Sequence, residues 1–195
     1  MLDHFSKYFE LLQQKDLEAH TAFRQMLKKT KLSKEEHLIS LHEINKNIYF
    51  LEKGITRHYR LTDAGGEINI YFSFEGDVIL VTECTVLEMP STEIVVALED
   101  CELLYIARPD LIQLTQNYHA LETLFREMLE LQMIAMERRQ FRLQTYSAKQ
   151  QYTHLMEQQP HYLQKIPQNY LASFLGITKE TLSRIKKKYQ NYTKA

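Results

Sequence analysis

Residues 168–188, QNYLASFLGITKETLSRIKKK, constrain the fold of this chain more than any other segment. Two short apolar patterns with helical spacing lie on either side of Gly176, a residue type that permits the left-handed backbone of a helix end. The positions that would face each other are apolar or small: Leu171, Ala172, Leu175, Ile177, Leu182 and Ile185. The pattern predicts two short helices joined by a sharp turn, with a small core between them.

The remaining face of the second predicted helix is polar. It carries Lys179, Glu180, Thr181, Ser183, Arg184, Lys187 and Lys188. A helix of this kind fits the major groove of DNA, where Arg pairs with guanine and Glu accepts from cytosine, while Lys and Thr hold phosphates. The pattern therefore indicates a helix-turn-helix that binds DNA. A helical hairpin with no role in DNA binding is the alternative.

The charge of the chain is distributed unevenly. The net charge is -1, but residues 165–195 carry seven basic residues and one acidic residue, which leaves 17 basic and 24 acidic residues before them. A basic end on an acidic body is typical of a nucleic-acid-binding module attached to a separate domain. A solvated lysine face would give the same count, so charge alone does not decide between the two.

Composition and the N-terminal residues narrow the class of protein. The start of the sequence, MLDHFSKYFELLQQK, lacks the apolar region of a signal peptide, and no apolar run approaches the roughly 20 residues of a membrane span. Cys84 and Cys101 are too few for a disulfide framework and fit a reducing compartment. We expect a cytoplasmic protein with no membrane partner.

The first half of the chain changes its pattern near residue 38. Residues 5–38 have apolar spacings of three and four and predict helices, whereas residues 38–107 hold short runs rich in β-branched and aromatic residues. Turn sequences such as TDAGGE and FEGD separate these runs. The prediction is an α+β protein that starts with an antiparallel, jelly-roll-like β-roll.

A long helix is predicted over residues 110–145, which contain almost no helix breaker. Leu111, Leu114, Tyr118, Leu121, Phe125 and Met128 follow alternating steps of three and four, as in a coiled-coil seam. Other apolar residues widen the stripe, so one face is expected to pack on the roll and another on the same helix of a second copy. The dimer contacts are assigned to Leu114, Leu121, Phe125 and Met128. A wholly intramolecular helix is the alternative.

Further helix boundaries are marked after residue 145. Ser147 is a candidate N-cap for a helix that ends at Pro160, Pro167 suits the first turn of the next helix, and Thr178 is placed to cap the last one. The predicted organisation is a β-roll sensor domain with N-terminal helices over 1–109, a dimerisation helix over 110–145 and an all-α helix-turn-helix domain over 146–195.

The segment IPQNYLASFLGITKETLSRI resembles the helix-turn-helix of the Crp/Fnr family of bacterial transcription regulators, and the resemblance extends over most of the chain. It implies a cyclic-nucleotide-binding-like sensor roll and a homodimer on a pseudo-palindromic site in double-stranded DNA, with half-sites roughly 34 Å apart. Carried onto this sequence, the base-reading residues are Lys179, Glu180 and Arg184. The residues assigned to phosphate contacts are Gln168, Asn169, Thr178, Thr181, Ser183, Lys186, Lys187 and Lys188. RNA polymerase is a further candidate partner, although no residue pattern marks a surface for it.

Two departures from the family pattern stand out. In members that bind cAMP, an Arg followed by Ser or Thr pairs with the cyclic phosphate, but Thr92 and Glu93 occupy that place here. Without this charge-assisted pair, and with acidic residues nearby, we expect cAMP not to bind. The family also commonly has a β-hairpin wing after the last helix, whereas only YQNYTKA follows Lys188, which predicts a shortened or absent wing.

The effector and any cofactor are not identified by the sequence. A pocket for an unknown small molecule is assigned to Tyr71, Phe74, Gly76, Asp77, Cys84, Ser91 and Thr92. Two cysteines cannot supply the usual four thiolates of an iron-sulfur cluster, and no His-Glu-x-x-His, phosphate loop or nucleophile elbow is present. No metal site, catalytic residue or enzyme activity is predicted. The alternative function is a cupin-like β-roll that binds a small ligand or acts as a metal enzyme, with C-terminal helices that serve assembly only.

Overall fold

The computed structural model describes residues 5–192, which form an antiparallel β-roll with helices packed on two of its sides. The strands are β1 Lys28–Leu32, β2 His37–Ile39, β3 Asn47–Lys53, β4 Thr56–Leu61, β5 Glu67–Ser73, β6 Val78–Ile79, β7 Ile94–Ala97 and β8 Cys101–Ala107. The helices are α1 Phe5–Lys15, α2 Leu17–Met26, α3 Thr82–Val86, α4 Arg108–Asn117, α5 His119–Thr145, α6 Ala148–Gln158, α7 Pro160–Lys165, α8 Gln168–Phe174 and α9 Lys179–Tyr192.

The strands pair into two four-stranded sheets, in the orders β1-β8-β3-β6 and β2-β7-β4-β5. In the first sheet Tyr49 lies opposite Tyr105, and in the second His58 lies opposite both Tyr71 and Val95. The predicted antiparallel roll is thus confirmed. The short helix α3 lies between β6 and β7, where the sequence pattern predicts no helix.

Strand β3 shows why the strands of the roll contain consecutive apolar residues. Tyr49 and Leu51 belong to the core between the two sheets, whereas Ile48 and Phe50 pack under the helices on the outside. Because side chains alternate across a strand, a strand that is covered on both faces reads as a continuous apolar run.

Helices α1, α2, α4 and α5 cover the outer face of the first sheet. Phe23 of α2 is completely buried there, with its ring 5.9 Å from that of Phe50 and 5.8 Å from that of Phe125. Burial of one such side chain stabilises the fold by about 1.5–3 kcal/mol. The N-terminal helices are therefore an integral part of the roll.

The helices α6 to α9 pack on the outer face of the second sheet. Phe72 of β5 is completely buried, and its ring centroid lies 5.8 Å from that of Tyr162 and 5.5 Å from that of Phe174. The Tyr162 hydroxyl donates to the Phe72 carbonyl at 3.2 Å. The C-terminal helices are thus docked directly on the roll.

The prediction of helix over residues 5–38 is wrong beyond Met26. Residues 28–32 form the edge strand β1, which pairs with β8 from Lys28 opposite Tyr105 to Leu32 opposite Cys101. Leu32 and Ile39 are buried in the roll by this pairing and by that of β2. Pairing with residues about 70 positions away in sequence overrides the local spacing, and exposed lysines on an edge strand discourage pairing with other chains.

The prediction of one continuous helix over residues 110–145 is also wrong. The backbone of Tyr118 is extended, with φ -126° and ψ 101°, so α4 ends and α5 begins there. Helix α4 packs against α2 and β8, whereas α5 packs against α1. The break follows from this tertiary packing, because no glycine or proline marks it in the sequence.

The predicted seam packs within the chain. Leu114, Leu121 and Met128 are buried in the core under the helices, and half-buried Phe125 packs against the same core. Leu114, Leu121 and Met128 are consequently not exposed to a second copy. The apolar residues that α5 does expose lie further along the helix.

Candidate functional site

Helices α8 and α9 are joined by the tight turn that the sequence predicts. Gly176 has a φ of 67°, its N–H donates to the Ser173 carbonyl at 3.0 Å, and the Ile177 N–H donates to the Ala172 carbonyl at 3.0 Å. This pair of bonds is a Schellman motif, which satisfies the last carbonyls of α8 and requires a left-handed residue at its centre. Pro167 precedes α8 as its N-cap and so lies one position before the predicted first turn.

Thr178 caps α9 as predicted. Its hydroxyl accepts from the Thr181 N–H at 3.2 Å, and its carbonyl accepts from the Leu182 N–H at 3.0 Å. Hydrogen bonds with its own backbone N–H and with Thr178 lower the pKa of the Glu180 carboxyl. One of the predicted base-reading residues thus lies in the first turn of α9, beside the helix cap.

The predicted core between the two helices is confirmed. Leu171, Ala172, Leu175, Leu182 and Ile185 are buried, and Ile177 is packed against them. Tyr152 and Leu155 of α6 belong to the same core. The two helices are therefore one packed unit with α6, and α9 is fixed relative to α8.

The predicted DNA-contacting side chains share the outer surface of this unit. Exposed residues are Gln168, Asn169, Thr178, Lys179, Glu180, Arg184, Lys187 and Lys188, and half-buried ones are Thr181, Ser183 and Lys186. Residues 179–188 carry five basic side chains and one acidic side chain. Because the apolar residues of α9 face α8, this charge is concentrated on one surface.

Helix α9 is also held by contacts that sequence reasoning missed. The ring of Tyr189 lies 5.4 Å from that of Tyr152, its hydroxyl is hydrogen-bonded to Thr153, and the Lys149 ammonium lies 5.9 Å from its centroid. All three partners belong to α6. Ser147 caps α6 in a capping box with Gln150, which confirms the predicted N-cap.

The residues assigned to an effector pocket take up several different positions in the roll. An Asp77 carboxylate oxygen accepts from the Phe74 N–H at 2.8 Å, in a turn where Gly76 has a φ of 89°. Cys84 is completely buried in the interior core, and Phe74 packs on Tyr162 of α7 with ring centroids 4.8 Å apart. The Asp77 carboxylate thus takes part in a hydrogen bond within the turn, and the Phe74 ring contacts the C-terminal helices.

The other members of that set lie near one polar cluster. The ring of Tyr71 stands edge-on to that of His58 at 5.6 Å, and burial followed by the charge of Asp77 raises the pKa of its hydroxyl. The Ser91 hydroxyl donates to the Glu93 carbonyl at 2.6 Å. The Thr92 hydroxyl donates to a Glu83 carboxylate oxygen at 2.6 Å.

Glu93 is at the centre of this cluster. Its carboxylate lies 2.9 Å from Nδ1 of His58 and 3.8 Å from Nε of Arg60, and Nε2 of His58 lies 3.0 Å from Oγ of Ser73. Arg60 also lies 3.6 Å from Glu83. The side chain of Glu93 is only 12% exposed. The Glu93 carboxylate is therefore held by basic groups of β4, and it follows Thr92 in the segment where the resemblance implies an arginine in cAMP-binding members.

Two surface grooves lie away from this cluster. Two open grooves of about 410 Å³ each share Tyr146 and His154, at the junction of α5 and α6. Burial and the charge of Arg142 lower the pKa of His154.

Among residues 5–192, no group of three or more His, Cys, Asp or Glu could hold a metal ion, and no helix is long and apolar enough to span a membrane.

Comparisons with known proteins agree with this fold. Residues 29–118 match the family model for the cyclic nucleotide-binding domain, and a search of curated proteins found no match. Among solved structures, FixK2 from Bradyrhizobium japonicum is 18% identical with a TM-score of 0.73 and 86% of each chain covered. A CooA mutant from Carboxydothermus hydrogenoformans is 17% identical with a TM-score of 0.71, over 93% of this chain and 84% of that one.

A third structure carries a functional description. CLP from Xanthomonas campestris, described as a c-di-GMP responsive global regulator, is 16% identical with a TM-score of 0.69, over 91% of this chain and 93% of that one. At these identities the likeness concerns the fold. Residues 29–118 thus match the cyclic nucleotide-binding domain family, in a chain whose fold is similar to those of FixK2, CooA and CLP.

Proposed function

We propose that this protein is a dimeric, sequence-specific DNA-binding transcription regulator of the Crp/Fnr type. The observation that carries the proposal is the surface of α9, where Lys179, Glu180 and Arg184 are exposed beside a capped helix start. The helix presents its N-terminal residues and has its apolar side buried, as a helix that enters the major groove does. In this assignment α8 and α9 form a helix-turn-helix.

Base reading and backbone contact are divided along α9. Arg184 reads a guanine through paired hydrogen bonds, and Glu180 accepts from a cytosine. Lys186, Lys187 and Lys188 supply affinity for phosphates that does not depend on sequence. Gln168 and Asn169, exposed at the start of α8, add phosphate contacts.

The proposed dimer is formed by the second half of α5. Leu129, Met133, Met136 and Leu143 are exposed and follow steps of four, three and seven, which places them on one stripe of the helix. A second copy with the same stripe would bury it in a two-fold coiled coil. The proposed boundary at residue 145 coincides with the end of α5 at Thr145.

The roll is proposed to bind no cAMP. In support of this, the Glu93 carboxylate pairs with His58, and Thr92 and Glu93 stand where the resemblance implies the arginine that binds the cyclic phosphate. A phosphate brought to this point would meet an acid of the same sign in a partly buried setting. Any effector of this roll therefore differs from cAMP in its chemistry.

Fluorescence anisotropy with the protein's own upstream DNA and with random DNA tests the proposal. We expect Arg184→Ala to cost about 1–3 kcal/mol on the specific duplex only, because it removes one base contact. Lys187→Ala is the matched control and should weaken both duplexes alike. A wild-type protein that binds neither duplex would favour the alternative in which the C-terminal helices serve assembly only.

A further inference from the structure

Two arginines, buried Arg57 and half-buried Arg139, contact aromatic rings on neighbouring turns of α8. The guanidinium of Arg57, on β4, lies 4.0 Å from the ring centroid of Tyr170, and that of Arg139, on α5, lies 4.5 Å from the ring centroid of Phe174. An Nη2 N–H of Arg139 also donates to the Phe174 carbonyl at 3.2 Å. Tyr170 and Phe174 are four residues apart, so their rings lie on the same face of α8, one turn apart.

Arg57 is held more elaborately than packing alone requires. Its guanidinium is stacked between Tyr59 at 3.9 Å and Tyr170, and its Nη2 lies 2.9 Å from the Glu67 carboxylate. Arg57 is 3% exposed, yet its Nε and Nη1 have no hydrogen-bond partner in the part of the chain that is described. Buried donors without partners cost stability, and an apolar side chain would fill the same space without that cost.

An arginine at this position can fix the relative orientation of the strand that carries it and the helix that it contacts. A planar guanidinium between two rings, with one edge on a carboxylate, fixes the angle between the elements that carry those groups. Neighbouring polar contacts act in the same sense: the Asn69 N–H donates to Ser173 at 3.0 Å, and the Asn69 side-chain amide donates to the Tyr170 carbonyl at 3.2 Å. Asn69 of β5 thus bonds to α8 at two positions.

We propose that Arg57 and Arg139 are positioning residues for DNA reading, which fix α8, and α9 with it, at one angle to the roll and to α5. The inference rests on the proposed function. In a dimer joined through α5, this angle sets the separation of the two reading helices. The arginines therefore determine which half-site spacing the protein accepts, although neither contacts DNA.

The test is a spacing series measured by fluorescence anisotropy with the full chain. The duplexes carry two half-sites from the upstream DNA at the natural spacing, at spacings changed by about one and two base pairs, and a single half-site. Wild-type protein should prefer the natural spacing by about tenfold or more, as expected of two rigidly held half-site readers. Arg57→Leu should bind the natural spacing about tenfold more weakly and lose most of that preference, with single half-site binding unchanged.

Control variants separate positioning from folding. Arg138→Leu makes the same chemical change on α5 at an exposed side chain outside the stripe of the proposed dimer, and it should behave as wild type. Arg139→Leu should reproduce the loss of spacing preference seen with Arg57→Leu. If Arg57→Leu does not fold, Tyr170→Leu removes the same stacking contact from the other partner and is expected to give the same result.

Two results would overturn the inference. The first is a full wild-type spacing preference in Arg57→Leu or Tyr170→Leu. The second is an equal loss on every duplex, including the single half-site, which would mean that the residue only supports the fold of α8. A wild-type protein with no preference between specific and random DNA would instead refute the proposed function.

Discussion

Replacement of Glu93 by Gln tests the account of the roll interior. The variant keeps the shape of the side chain but removes the charge that lies 2.9 Å from His58 and 3.8 Å from Arg60. Because Glu93 is only 12% exposed, the loss should cost about 1–3 kcal/mol in the free energy of unfolding. For a chain of this length that corresponds to a fall in Tm of roughly 3–9 °C.

Glu88→Gln provides the matched control for this prediction. The Glu88 carboxylate pairs with Lys46, but both side chains are about half exposed, so its loss should cost about 0–1 kcal/mol. Thermal unfolding followed by circular dichroism, at pH 7 and equal protein concentration, compares the two variants. Equal Tm values for Glu93→Gln and Glu88→Gln would refute the claim that Glu93 forms a mostly buried, stabilising pair with His58.

Three further predictions concern the dimer face, a turn and a thiol. Met133→Glu places a charge on the exposed stripe of α5 and should give a monomer in sedimentation; an intact dimer would exclude this face. Gly54→Ala should lower the free energy of unfolding in urea by about 2–4 kcal/mol, because the φ of Gly54 is 103° and the new Cβ would lie 2.6 Å from the Cys101 sulfur. Gly65→Ala is the control and should cost less, because Gly65 has a φ of 78° but open space around it. Equal costs for the two variants would contradict the steric argument. Burial raises the pKa of Cys101 to about 11, so roughly one thiol in a thousand is ionised at pH 8. Maleimide should therefore label Cys101 only after unfolding, and rapid labelling of the native protein would contradict its burial.

The features that the sequence predicted well are those determined by neighbouring residues. Gly176, Thr178 and Ser147 act through backbone groups within a few positions, and the structure places each as the turn or cap that its residue type favours. The same holds for the core of α8 and α9, whose apolar residues follow a helical period. Local patterns therefore led directly to the candidate DNA-binding surface.

The features that sequence reasoning missed depend on distant partners. Lys28–Leu32 forms a strand only because β8 lies beside it, and Tyr118 breaks a helix with no local signal. The partners of Arg57 and Arg139 on α8 lie more than 30 residues away, so neither arginine differs in sequence from a surface residue. The one available signal was Arg57, the first of two arginines in the strand-like run TRHYRL.

Selection of bound duplexes from a random DNA pool tests the central claim most directly. If α9 reads bases in a dimer, the selected sequences should share two inverted half-sites whose centres are roughly 34 Å apart, about one helical turn. The same selection with Arg184→Ala should lose the preference at one symmetric pair of positions and keep the rest. Recovery of no shared sequence by the wild-type protein would contradict the account.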